Sequence, residues 1–150
     1  MEHASHEETR HGRFGYPSGM SAKPVMVHED ERDWESWPEE EVAERGNVQW
    51  RTLISAGLTA STGLTLGVAL VPSGGNLSAH RHEQPEVYLV LDGNGIVTVD
   101  RVSTRVRPGT SVFIPGGAIH SVRSTGPTDL RFAFVLAADA FEDVTYLFAP

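Results

Sequence analysis

From Val48 onward the chain breaks into short runs rich in β-branched, aliphatic and aromatic residues, separated at close intervals by Gly, Pro, Asp and Asn. The runs are Val48–Ile54, Leu64–Val71, Val87–Leu91, Ile96–Val99, Ser103–Val106, Ser111–Ile114, His120–Arg123, Leu130–Leu136 and Val144–Phe148. Many short strands with regular turn signals predict an all-β sandwich or barrel. Asp92-Gly93-Asn94-Gly95 lies between two runs and reads as a tight hairpin. Ala138–Phe141 fits a single helical turn, and no internal repeat is visible.

The first third of the chain has a different pattern. Residues 1–23 are polar, with few aliphatics, and read as a disordered tail; the spacing of His3, His6 and His11 is too irregular for a designed metal site. Residues 24–47 read as an arm packed on the barrel, and residues 48–150 as the barrel itself. Within the arm, Val25–His28 predicts a short strand. Ser36 followed by Glu39 resembles a capping box, Pro38 suits an early helical position and Gly46 a stop, so a short helix is expected between them. Trp34 and Trp37 are expected to cover the barrel wall, with a substrate contact as the lesser alternative.

Charge sharpens this division. The net charge is −8. Residues 1–45 carry twelve acids and five bases, whereas residues 46–150 carry eight acids and seven bases. The acidity belongs to the arm. No basic patch points to nucleic acid, and no apolar run approaches the ~20 residues of a membrane span. The single lysine, Lys23, lies in the arm, which argues against a Schiff base or a P-loop in the body. The absence of cysteine excludes disulfides, thiolate ligands and a cysteine nucleophile. The N-terminus lacks the charged-then-apolar layout of a secretory signal, so a cytoplasmic location is expected.

The candidate chemistry rests on three histidines in the β-rich body: His80, His82 and His120. Side chains two apart on a strand share a face, so His80 and His82 point one way and Arg81 the other. Glu86 has the same parity, with Pro85 bending the chain just before it. Three imidazoles and a carboxylate meeting inside a barrel would suit one borderline divalent ion per chain, with Fe or Mn favoured and Ni, Co or Zn possible. One anion among four ligands leaves such a site at +1, which favours an anionic substrate. Tyr88, two residues past Glu86, shares the inward face. A nearby cation would lower its pKa from ~10 and allow a phenolate general base; the plainer alternative is pocket wall.

Two spacings carry a family resemblance. Gly74-x5-His80-x-His82-x3-Glu86-x6-Gly93 resembles the first cupin motif, and Gly109-x5-Pro115-x-Gly117-x2-His120 the second. Ser124 stands where the family often has Asn. The resemblance implies a jelly-roll-like barrel over residues 48–148, usually dimeric, with His80, His82, Glu86 and His120 as metal ligands. More narrowly, the chain resembles the small cupin lyases that cleave dimethylsulfoniopropionate to acrylate and dimethyl sulfide. The matching stretches are Gln84–Tyr88, Trp50–Ser55, Leu130–Phe132 and Phe141–Phe148. That likeness implies a small carboxylate substrate held by the metal, Tyr88 as the base for β-elimination, and Trp50, Phe132, Phe134 and Tyr146 around the sulfonium. An Fe(II)-dependent dioxygenase and a non-catalytic cupin binding a small ligand are the alternatives.

Overall fold

The computed structural model describes residues 23–150. The expected tail, with His3, His6 and His11, therefore lies outside the described residues apart from Lys23. The described chain forms β1 (Glu35–Ser36), α1 (Glu39–Arg45), β2 (Gln49–Ile54), β3 (Thr65–Val71), β4 (Asn76–Arg81), β5 (Glu86–Asp92), β6 (Gly95–Val99), β7 (Val102–Val106), β8 (Ser111–Ile114), β9 (His120–Ser124), β10 (Leu130–Leu136) and β11 (Leu147–Phe148). Two short 3-10 turns, Glu29–Glu31 and Phe141–Asp143, complete it. No helix among the described residues is long and apolar enough to cross a membrane.

The strands form two antiparallel sheets. One has the order β1-β2-β3-β10-β5-β8, the other β11-β4-β9-β6-β7. Alternation decides what each contributes to the space between them. In β10, Leu130, Phe132, Phe134 and Leu136 are buried, while Arg131, Ala133 and Val135 face outward. In β5, Glu86, Tyr88 and Val90 are buried and Val87 and Leu89 are exposed. Val71, Ile114, Leu130 and Leu136 are fully buried. Burial of each such side chain contributes about 1.5–3 kcal/mol, so the core closes firmly around whatever polar groups it contains.

The arm is held to the outer face of the six-stranded sheet. The Arg131 guanidinium donates to both Glu29 carboxylate oxygens at 2.9 and 3.1 Å. Arg51 lies 3.6 Å from Asp30 and 4.3 Å from the Trp34 ring centroid. Pairing of Glu35 with Trp50 and of Ser36 with Gln49 then carries the chain to α1.

Several local expectations change. Val25–His28 forms no strand and pairs with none among the described residues. The Ser36–Glu39 capping box is absent because Ser36 is used by β1; α1 starts after Pro38 without a side-chain cap. Its first turn instead carries Glu39, Glu40 and Glu41, whose charges favour a helix N-terminus. Gly46 ends the helix as expected. The expected run Val144–Phe148 contributes only Leu147–Phe148, and the helical turn falls at Phe141–Asp143. Strand β4 was not among the expected runs, since Asn76, Ser78 and two histidines dilute its apolar signal.

The larger correction concerns Asp92–Gly95. It is not a hairpin: β5 pairs with β8 and β10, whereas β6 pairs with β7 and β9 in the other sheet. The segment crosses between sheets, and the crossing is crowded. A Cβ on Gly93, whose φ is +79°, would lie 2.3 Å from the Asp129 carbonyl oxygen. The hairpin β6–β7 turns instead at Asp100 and Arg101, with φ of 44° and 70°. Two positive φ values fit the twist of a tight hairpin.

This contrast predicts two different costs. Gly109 also has a positive φ, +91°, but no atom lies within 4 Å of a Cβ placed there. Gly109→Ala should therefore lose about 1 kcal/mol, the backbone cost alone. Gly93→Ala should lose at least about twice that, because backbone must also move. Urea unfolding of the two variants measures the difference; equal midpoints would contradict the crowded crossing.

Candidate metal centre

Four buried groups converge from both sheets. His80 and His120 are direct cross-strand partners on β4 and β9. Glu86 opens β5 in the opposite sheet. His82 lies one residue past β4, in the connection to β5. A regular strand that buries Leu77 would turn His80 outward, three residues later. The pairing of β4 with β9 is irregular between Leu77 and His80, and both side chains end up buried. The extra residue resets the face, as a β-bulge does.

Each ring is aimed by its own backbone. Nδ1 of His80 lies 2.8 Å from the Ser78 carbonyl oxygen, Nδ1 of His82 2.9 Å from that of Gln84, and Nδ1 of His120 2.9 Å from that of Ala118. A carbonyl only accepts, so each Nδ1 carries the proton and donates it. In a neutral ring Nε2 is then left with its lone pair. The three ligand nitrogens lie within 4.8 Å of one another. Glu86 Oε2 lies 3.1 Å from His82 Nε2 and 3.2 Å from His120 Nε2. The Nε2 atoms of His80 and His120 have no hydrogen-bond partner among the described residues.

The electrostatics follow from burial. His80 has its pKa lowered to about 4, first by loss of water and next by the neighbouring His120. It is neutral at pH 7. For Glu86 the largest single effect, burial, acts upward, but the closeness of His120 and His82, in their protonated form, outweighs it and holds the carboxyl below its usual value. A buried carboxylate beside aligned imidazole lone pairs needs a positive counter-charge. A divalent cation satisfies every one of these atoms. The donor set suits a borderline ion, and three backbone carbonyls already fix the rings as second partners do in metal sites. His80, His82, Glu86 and His120 are the residues that could hold it.

The other expected residues share one cavity of about 40 Å³. Tyr88, Trp50, Phe132, Phe134 and Tyr146 all line it together with His80 and Glu86. Trp37 and Phe141 line it too. Trp37 was expected mainly to cover the wall, with a substrate contact as the lesser alternative; its place depends on the β1–β2 pairing, which no local pattern announces. Tyr146 spans the middle, its ring centroid 5.3 Å from His80 and 5.8 Å from Trp37. The expected lowering of Tyr88 concerns a site loaded with a cation; the protein's own groups act the other way. Burial, then the charge of Glu86, push the phenol well above its ordinary value. Without added positive charge Tyr88 is a neutral hydroxyl.

The chain is similar to known proteins in family and fold. The cupin domain family matches residues 67–136. Dimethylsulfoniopropionate lyase DddW of Ruegeria pomeroyi is 45% identical over 103 residues, covering 69% of this chain and 67% of that one. An oxalate-binding protein of Thermotoga maritima is 28% identical over 93 residues, 61% of this chain and 77% of that one. A cupin-2 domain of Rhodospirillum rubrum superposes with a TM-score of 0.70 at 22% identity, over 87% of this chain and 84% of that one.

A pH dependence follows from His80. Its folded pKa of about 4 lies below the ordinary 6.5, so the unfolded chain binds the proton more readily. Its contribution is present above pH ~6.5 and is lost as pH falls toward 4. Glu86, also lowered, acts in the same direction below its ordinary 4.5. Chelator-treated protein should lose about 2 kcal/mol of unfolding free energy between about pH 7.5 and about pH 5. Urea titrations at the two pH values test this, and an unchanged free energy would contradict a buried neutral imidazole.

Proposed function

Because the chain belongs to the cupin family, we propose that it is a metal-dependent enzyme acting on a small carboxylate, with β-elimination of dimethylsulfoniopropionate as its reaction. The observation that carries this reading is the shared cavity: His80, with an unpartnered imidazole nitrogen, and Glu86 at one end, Tyr88 next to them, and an aromatic wall beyond. The likeness to a dimethylsulfoniopropionate lyase supports the choice of reaction.

In this reading His80, His82, Glu86 and His120 hold one divalent ion, Fe or Mn in preference to Ni, Co or Zn. When bound, the ion supplies a Lewis-acidic seat for the substrate carboxylate and a positive charge that offsets Glu86 and draws the neighbouring phenol toward ionisation. Tyr88, as phenolate, takes the proton from the carbon next to the carboxylate. The C–S electron pair leaves with sulfur, and the two carbons become the double bond of acrylate. The faces of Trp50, Phe132, Phe134 and Tyr146 surround the sulfonium, each contributing about 0.5–2 kcal/mol of cation–π attraction. The closed apolar wall excludes water from the proton transfer.

A second reading is non-catalytic binding of a small carboxylate, which the oxalate-binding relative favours. A homodimer also forms part of the proposal. Val87 and Phe113, paired across β5 and β8, are exposed with Leu89 on the outer face of the six-stranded sheet and supply an apolar patch for it.

The test is acrylate release from dimethylsulfoniopropionate by protein loaded with Fe(II) or Mn(II), with and without oxygen. The lyase runs equally in both; oxygen consumption with Fe(II) would instead identify a dioxygenase. Tyr88→Phe should retain the metal and lose about 10²–10⁴-fold in rate, whereas His82→Ala should lose the metal by elemental analysis. Substrate binding without turnover under any divalent metal would leave the binding module.

A further inference from the structure

The cavity beside the histidines is small for the ligand that the proposed reading gives it. A buried water takes up roughly 10–15 Å³ of such space, so the 40 Å³ cavity holds about three. A molecule with a carboxylate at one end and a dimethylsulfonium at the other is larger, and its entry requires part of the lining to move. Much of the lining is held in ladders: Trp50, Ala69, Tyr88, Phe132 and Phe134 sit on β2, β3, β5 and β10, neighbours in the six-stranded sheet. The lining residues that are only partly buried are Trp37, Phe141 and Tyr146.

Their attachments differ. Trp37 belongs to an arm fixed by the β1–β2 pairing and by the Glu29–Arg131 ion pair. Phe141 follows a stretch tied to the barrel. There the Asp139 carbonyl accepts from the Ala56 amide at 2.8 Å, the Asp139 carboxylate accepts from Thr62 and Gly63, and Ser55 Oγ accepts from the Phe141 amide at 2.9 Å. Past Val144 the ties become few. Among the described residues, 145–150 join the backbone of the barrel through two cross-strand pairs, Leu147 with Arg81 and Phe148 with His80, and through the Ala149 amide, which donates to the Ala79 carbonyl at 3.0 Å. So short a ladder opens locally at a small fraction of the cost of global unfolding. This strap carries Tyr146, whose ring centroid lies 5.3 Å from those of His80 and His82.

Two surface hollows flank the strap. One, of about 320 Å³, is lined by His82, Thr145 and Leu147 among others; the other, of about 270 Å³, by His80, Leu147 and Phe148 among others. Each reaches a candidate ligand from its own side of β11, and the strap parts them. We infer that residues 144–150 are a gate. Strand β11 peels from β4 about the anchored turn Phe141–Asp143, Tyr146 leaves the histidines, and the way into the cavity lies where the two hollows join. Closure returns Tyr146 over the site and seats Phe148 against Trp37 and the Arg45 guanidinium, at 5.6 and 5.0 Å. The inference rests on the proposed reading in one respect, that ligands bind beside His80 and Glu86.

The absence of cysteine permits a clean lock. Arg81 and Leu147 are exposed cross-strand partners, and antiparallel partners stand within the Cα separation that a disulfide spans. The full chain carrying Arg81→Cys and Leu147→Cys, freed of metal and oxidised, should take up Zn²⁺ at least roughly tenfold more slowly than the same protein reduced. Wild type given the same oxidant and reductant should show no difference. Loaded with Mn(II) before oxidation, the cross-linked protein should release acrylate more slowly by a similar factor and recover on reduction. In the wild-type chain, the Ala149 amide should exchange with deuterium at least roughly 100-fold faster than the amides of the β3–β10 ladder; this measurement stands even if the cross-link forms poorly. Equal Zn²⁺ uptake in the two redox states, or an Ala149 amide as protected as that ladder, would overturn the inference. Metal uptake needs no reaction: gated uptake without acrylate keeps the gate and sinks the lyase reading, and acrylate released at one rate in both redox states does the reverse.

Discussion

Four electron-rich atoms share a space from which water is excluded, and the protein provides no positive charge to meet them. Three imidazoles donate their Nδ1 protons to backbone carbonyls at 2.8–2.9 Å. The fourth group is a carboxylate whose oxygen lies 3.1–3.2 Å from two of the ring nitrogens. Left alone, such an arrangement is costly, because buried charges need partners. The rest of the molecule makes it persist: two sheets hold the groups from opposite sides, and a firmly packed apolar layer keeps them dry.

Chemistry in the cavity inherits that constraint. Tyr88 sits where burial and Glu86 oppose its ionisation, so under the proposed function its reactivity would depend on a cation at the histidines. The tyrosine and the metal site would then form one device. A phenol that ionises only when the site is loaded gives little opportunity for stray proton transfer in the empty protein. The aromatic layer beyond it serves packing and, under the proposed function, recognition. The same rings that close the core present π-faces toward the cavity.

Much of the centre was legible along the chain because its logic is local. His80, His82 and Glu86 lie within seven residues, and parity alone places them on one face. Even there the reasoning was incomplete. Leu77 and His80 share the interior only because of an irregularity in the β4–β9 pairing, and His82 lies beyond the strand. The Asp92–Gly95 stretch misled for a related reason. Its composition reports a tight turn, and a tight turn is present, but which strands flank it in a sheet depends on partners more than twenty residues away. Gly93 is there for a close approach to Asp129, which composition cannot distinguish from a hairpin.

By itself the sequence determined the all-β architecture, the position of most strands and the four candidate ligands, because side-chain period and turn chemistry act over a few residues. Tertiary structure decided the rest. It placed Trp37 in the cavity through the pairing of Glu35 with Trp50, carried β5 and β6 into different sheets, and buried Tyr88 beside Glu86, which raises its phenol in the protein alone. Each of these depends on burial and on contacts between distant segments. Desolvation and long-range pairing have no signature in a short window of sequence; they exist only once the two sheets have closed.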